Sequence, residues 1–308
     1  MLTVHNFSYG LLTPVLAYLM SCLGAFLGLR CTTRATASEG ASRVRWLLLA
    51  AVSIGTTGIW VMHFIAMLGY TIPGETIHYN VLITIGSMLI AVVVVGIGLL
   101  IVGLRTPTWR TLLLAGTFTG IGVASMHYTG MAAMRMPSRM SYNPDLFGLS
   151  IVIAIVAATA ALWAALTLKR TAFTFGAALI MGVAVSGMHY TGMAAMRVHA
   201  AASGDGMLMT GGGATAENFL LPLVIGISVL AFILTATLAL SPTDQEMRAE
   251  AELLDRIEQA SASYTQAVPA ALPTAQMPGQ AVSRAVQARR QAGPGEPRLR
   301  AAARGRTQ

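Results

Sequence analysis

The decapeptide MHYTGMAAMR stands twice in this chain, at 126–135 and 188–197. A looser copy, Met62-His63-Phe64-Ile65-Ala66-Met67, precedes them. The chemistry on offer is that of imidazole and thioether. A helix turns about 100° per residue, so His127, Met131 and Met134 share one face at i, i+4 and i+7. His189, Met193 and Met196 repeat that face, and His63 and Met67 follow it with Tyr70 in the place of the second methionine. Thioether sulfur selects soft ions, and imidazole suits copper, zinc, iron and nickel. Together they point to copper. No carboxylate or cysteine stands beside them, which argues against magnesium, calcium, structural zinc and iron–sulfur clusters. Haem held between two histidines is the alternative cofactor. The competing reading makes each histidine a hydrogen-bonding packing residue and each methionine an apolar filler. Tyr128, Tyr190, Thr129 and Thr191 adjoin the histidines. They either orient the imidazoles through hydrogen bonds or form an interfacial aromatic belt with threonines bonded to their own helix.

The elements that must carry these residues are membrane helices. Of the 308 residues, 55% are hydrophobic and 10% charged, with mean hydropathy +0.66. Soluble domains carry about 25% charged residues, so a soluble globular enzyme and a disordered polar chain are both excluded. The pI near 10.1 would suit nucleic acid, but the low charge density argues against it. A spanning helix needs about 20 mostly apolar residues. Seven stretches qualify, at about 9–29, 46–70, 79–104, 109–134, 146–168, 172–196 and 219–240, and none has Asp, Glu, Lys or Arg in its interior. The first reads as a retained helix rather than a signal peptide. Cys22 and Cys31 fall on or just past that first helix, so no bridge between them is expected.

The histidines lie 64 and then 62 residues apart, and each interval contains two spans. The expected fold is therefore an all-α membrane protein whose seven helices comprise three two-helix repeats plus one. Small residues precede each histidine: Gly58, Gly122 and Ala184 by five positions, Thr56, Gly120 and Gly182 by seven. They predict that spans 2, 4 and 6 pack closely as an inner set. Arg30, Arg34, Arg43, Arg45, Arg105, Arg110, Lys169, Arg170 and nine arginines of the tail fall on one side. Only Arg135, Arg139 and Arg197 fall on the other. The positive-inside rule places the N-terminus outside and the tail in the cytoplasm.

The domain reading is a membrane domain over 1–240, a short amphipathic helix over 241–262 and a disordered Ala/Pro/Arg-rich tail over 263–308. The arginines from Arg284 to Arg306 either touch anionic lipid or an acidic partner, or are simply solvated. An opsin-type pigment needs a lysine that 219–240 lacks. Pumps and voltage sensors need intramembrane charges, and the spans have none. No nucleophile–base pair is evident, so no enzyme is expected.

These residues resemble the MHYT family of bacterial integral membrane sensor domains, whose tetrapeptide stands intact at 126–129 and 188–191 and loosely at 62–65. The resemblance covers about 6–240, including the span count. It implies a multi-pass protein of the bacterial cytoplasmic (inner) membrane with a copper site near the outer face. It implies His63, His127 and His189 with Met62, Met126 and Met188 as the ligand set, and a diatomic gas (oxygen, carbon monoxide or nitric oxide) as the signal. Family members often carry cyclic-di-GMP or histidine kinase domains. Residues 241–308 are too short for one and show no such signature, so an unidentified cytoplasmic signalling protein is the expected partner. Copper transport or delivery, and a structural scaffold with packing histidines, are the alternative functions.

Overall fold

The computed structural model describes residues 3–104, 108–200, 214–215, 218, 220–240, 244–267 and 287. The expected disorder over 263–308 and the arginines from Arg284 to Arg306 fall outside them, save for the end of the last helix and residue 287. The chain forms two units, 1–241 and 242–308. The first contains α1 (Leu12–Ala37), α2 (Gly40–Val52), a π-helical stretch (Ser53–Val61), α3 (Met62–Leu68), α4 (Val81–Leu104), α5 (Trp109–Ala132), α6 (Pro144–Thr167), α7 (Thr171–Ala195) and α8 (Leu221–Leu240). The second contains α9 (Asp244–Ala267).

Five helices among the described residues are long and apolar enough to cross a membrane: Leu12–Ala37, Gly40–Leu68, Val81–Leu104, Pro144–Thr167 and Thr171–Ala195. The chain is a multi-pass membrane protein. α5 is as long as α4 but carries four threonines, a serine and His127, which lower its hydropathy. Large apolar side chains lie exposed along the outward faces, among them Leu82 and Val93 of α4, Leu114 of α5, Val156 of α6 and Ile180 of α7. In water such a surface would be an aggregation hazard; against lipid tails it is the ordinary one.

Local sequence explains the helix starts. Asn143 caps α6, its Oδ1 accepting from the Asp145 and Leu146 amides at 3.0 and 3.2 Å, with Pro144 following it. Thr108 caps α5 by accepting from the Thr111 amide at 3.2 Å. Asn80 Oδ1 accepts from the Ile83 amide at 3.1 Å at the start of α4.

Each helix packs against its neighbours in the chain. α1 lies against the α2–α3 span, that span against α4, α4 against α5, α5 against α6 and α6 against α7. α7 then returns to α1, so the six close into a ring. Phe7 stacks on Tyr190 at 5.7 Å and places the start of α1 beside the end of α7. α8 packs outside, on α1 and the π-helical stretch.

Two expectations change. The first loop shrinks to Ser38 and Glu39, because α1 runs on to Ala37 and α2 begins at Gly40. Arg30, Arg34, Arg43 and Arg45 therefore stand on helix ends, where Arg34 lies over the Trp46 ring at 5.0 Å and Arg30 donates to Thr171 Oγ1 at 2.9 Å. Hydropathy marks the membrane core, whereas helical hydrogen bonding continues past it.

The small residues also act differently. A Cβ at Gly120 would overlap the α6 backbone at Ile155, and one at Gly122 the Val94 side chain of α4. One on Gly24 of α1 would overlap the Gly58 backbone, and one on Gly182 would meet Cys22 and Tyr18 of α1. These positions thus bring the π-helical stretch, α5 and α7 against the alternate helices, while α3, α5 and α7 meet one another at the histidines. Cys22 and Cys31 are both free and buried in α1.

At one end, the connections form two small sheets that the sequence reading did not foresee. β1 (His78–Tyr79) lies between β2 (Met134–Arg135) and β5 (Ala214–Thr215), and β3 (Arg139–Tyr142) pairs antiparallel with β4 (Met196–His199).

Candidate metal centre

The three histidines converge. α3 supplies His63, α5 His127 and α7 His189, each 1% exposed or less. Their Nδ1 atoms form a near-equilateral triangle: His63 to His189 3.0 Å, His63 to His127 3.1 Å and His127 to His189 3.3 Å. The rings stand edge to face, at 81°, 83° and 89°.

This arrangement is unsatisfied without a cation. A neutral imidazole carries a hydrogen on one nitrogen and a lone pair on the other. A hydrogen on one Nδ1 can meet one neighbour's lone pair, but three Nδ1 atoms aimed at one another cannot all be matched. A positive ion between three lone pairs satisfies all of them. The point equidistant from the three atoms lies about 1.8 Å from each, within a few tenths of an ångström of a usual metal–imidazole bond of ~2.0–2.1 Å. The three residues therefore fit a metal ion, each offering one nitrogen. They do not fit haem held between two of them. Its axial imidazoles stand on opposite faces of the macrocycle, and nitrogens 3.0–3.3 Å apart leave no gap for it.

The opposite nitrogens are also constrained. His63 Nε2 and His127 Nε2 are buried with no hydrogen-bond partner. His63 Nε2 lies 2.5 Å from where a Cβ on Gly130 would stand, and a Cβ on Gly192 would overlap His127 Nε2. Each of these glycines is the fifth residue of an MHYTG run. Each walls the imidazole of the preceding motif. Sequence reasoning missed them, although their place in the duplicated motif was the available signal.

The predicted methionines divide. Met62, Met126, Met188, Met67, Met131 and Met193 are buried on the histidine helices. Met134 and Met196 are buried too, but they lie beyond the helix ends in β2 and β4, opposite Tyr79 and Tyr142. The helical-face argument stops at Met131 and Met193, because α5 ends at Ala132 and α7 at Ala195. Tyr70 likewise follows Gly69, the C-cap of α3.

The neighbouring aromatics pack on the imidazoles edge-on. Phe64 meets His63 at 4.7 Å, Tyr128 meets His127 at 4.9 Å and Tyr190 meets His189 at 5.0 Å. The Tyr128 hydroxyl pairs with Ser150 Oγ at 2.6 Å, and the Tyr190 hydroxyl is buried without a partner. Thr129 and Thr191 are half-buried. Outside the trio, His199 Nε2 pairs with Ser141 Oγ at 3.0 Å. The helix before His63 is itself unusual, since Ser53–Val61 is π-helical. Such turns are rare and frequent at functional sites. Trp60 Nε1 anchors it to α4 by donating to Ser87 Oγ at 3.0 Å.

Membrane helices enclosing a buried histidine trio define a membrane protein with a built metal-binding arrangement. The family described as the MHYT bacterial signalling protein N-terminal repeat matches residues 57–115 and 120–178, so the chain carries MHYT repeats over this region. The bifunctional diguanylate cyclase/cyclic di-GMP phosphodiesterase MucR of Pseudomonas aeruginosa is 34% identical over 252 residues, 80% of this chain and 36% of that protein. The cyclic di-GMP phosphodiesterase NbdA of the same species is 37% identical over 199 residues, 63% of this chain and 25% of that protein. The signaling protein YkoW of Bacillus subtilis is 33% identical over 195 residues, 60% of this chain and 24% of that protein. The chain thus spans about a third or less of the length of these relatives. No solved structure matches it.

Proposed function

We propose that this chain is the sensor part of a bacterial inner-membrane signalling system, with copper held by His63, His127 and His189 and a diatomic gas as the signal. The observation that carries the reading is the triangle of Nδ1 atoms at 3.0–3.3 Å, closed from three separate helices. Buried thioethers on the same helices, at Met62, Met126, Met188, Met67, Met131 and Met193, favour copper over zinc. Met134 and Met196 belong to the proposed set only from their strands. Copper would supply a redox-active centre with affinity for oxygen, carbon monoxide or nitric oxide.

An apolar cavity of about 60 Å³ supports the gas reading. It lies inside the helix ring, lined by Ile54, Val95, Val123, Ala154 and Met188, the residue before His189. An apolar cavity of this kind stays dry and admits small apolar molecules. It also disfavours copper transport, which needs ligands through the membrane depth. Of its lining residues only Met181 and Met188 offer a thioether.

Each imidazole belongs to a different helix, so a change in Nδ1 spacing is a route by which the trio would alter the spacing of α3, α5 and α7. We assign seven spans in three helix pairs plus α8, the N-terminus outside and the C-terminus in the cytoplasm. The signal then leaves through α8 and α9. The named activities of the relatives support cyclic di-GMP turnover as its destination, in cytoplasmic machinery under the control of the trio.

Elemental analysis of the purified protein tests the centre. Wild type should carry about one copper per chain, and His127→Ala with His189→Ala should carry none while keeping its helical circular dichroism. Equal metal in both, or none in either, would leave the histidines as packing residues.

A further inference from the structure

We propose that the chain has a second binding site, for a quinol: a planar ring bearing hydroxyl donors on an apolar tail. The site is a cavity of about 960 Å³ between α1, α8 and the loop that follows α3. Met67, one turn beyond His63, forms part of its wall, but none of the three histidines lines it.

One end of the cavity is polar and lacks partners. Tyr70 and Thr13 line it at 3% and 6% exposure, and both hydroxyls are buried without a hydrogen bond. Glu75 lines the same end. Its Oε1 accepts from Ser138 Oγ, and its Oε2 is buried without a partner. Buried polar groups are normally paired, and leaving one unpaired is costly. Three such groups on one cavity mark the seat of a polar head. Burial, with Tyr142 and Glu75 nearby, raises the Tyr70 hydroxyl above the ordinary tyrosine range, so it stays protonated.

The donor inventory selects the head. A carboxylate oxygen accepts only, so the ligand must bring a donor to Glu75. Among the described residues no Lys or Arg lines the cavity, so a phosphate headgroup would find no countercharge there. Tyr9 and Tyr79 also line the cavity and suit a flat ring. The other end is apolar and open to the membrane. Leu16 on α1 and Ile225 and Val229 on α8 line it while 43%, 52% and 53% exposed. Leu12 to Met20 spans about 12 Å of α1, enough to seat the first part of a tail. A quinol brings hydroxyl donors to Glu75, whereas the oxidised quinone brings only acceptors and leaves Oε2 unpaired. The site therefore prefers the reduced form, and it would report the redox state of the membrane.

Binding of decylubiquinol and decylubiquinone to the purified full chain in phosphatidylcholine nanodiscs, under anaerobic conditions, tests this. The quinol should bind about ten-fold or more tighter than the quinone, as expected for a hydrogen bond to a charged group. Glu75→Gln should erase most of that preference, since its amide can donate to a quinone carbonyl. Ile225→Trp should weaken both forms by filling the tail groove. Val229→Trp serves the same purpose should the first variant not fold. Absence of quinol binding, equal binding of the two forms, or variants that bind like wild type would overturn the proposal. So would displacement of the quinol by phosphatidylethanolamine, which would make the occupant a lipid headgroup. The measurement needs no metal, so its failure leaves the histidine centre untouched.

Discussion

A glycine in mid-helix usually costs about 0.5–1 kcal/mol relative to alanine. Gly130 and Gly192 carry that cost beside His63 and His127, where a Cβ would press on each Nε2. The corresponding residue of the first motif is Ala66. Gly130→Ala and Gly192→Ala should therefore raise helix propensity and yet lower metal content, singly by part and together almost wholly. Thermal melts with metal analysis on the same samples would show the two effects separating. Metal content equal to wild type in the double variant would reduce these glycines to packing residues. The histidines were legible in the sequence because one residue type recurred at one place on three spans. The glycines sat in the same motif but carry no chemistry of their own, so only the three-dimensional closeness of α3, α5 and α7 exposes their role.

At the scale of elements, small residues act between sequence neighbours. Gly120 meets the α6 backbone, Gly24 meets Gly58 and Gly55 meets the Val92 backbone of α4. Gly120→Ala should lower stability by about 1–3 kcal/mol, the range for overpacking a tight contact. A detergent melt would measure it, and an unchanged midpoint would mean that α5 and α6 have slack. Helix cores were readable from hydropathy, whereas helix ends were not. α1 and α2 continue past their apolar runs to Ala37 and back to Gly40, because backbone hydrogen bonds need no apolar side chain. The strands were invisible for a different reason. With two to four residues each, they are too short to show alternation, and they owe their pairing to the helices that bring them together. The π-helical stretch leaves no compositional mark either, since its residues are those of an ordinary membrane helix.

At the scale of the molecule, charge should set orientation. A periplasm-active alkaline phosphatase fused after Ser141 should be active and one fused after Lys169 inactive, and the reverse pattern would invert the proposed topology. The ring order carries a separate consequence for biogenesis. α1 emerges first from the ribosome, yet its lateral partner α7 emerges last of the six. Until α7 inserts, α1 has one open flank, and the third imidazole, His189, does not yet exist. The centre cannot assemble stepwise on a growing chain. It is completed by the same event that closes the ring, so a chain stopped before α7 holds two of the three histidines and leaves the α7 flank of α1 uncovered.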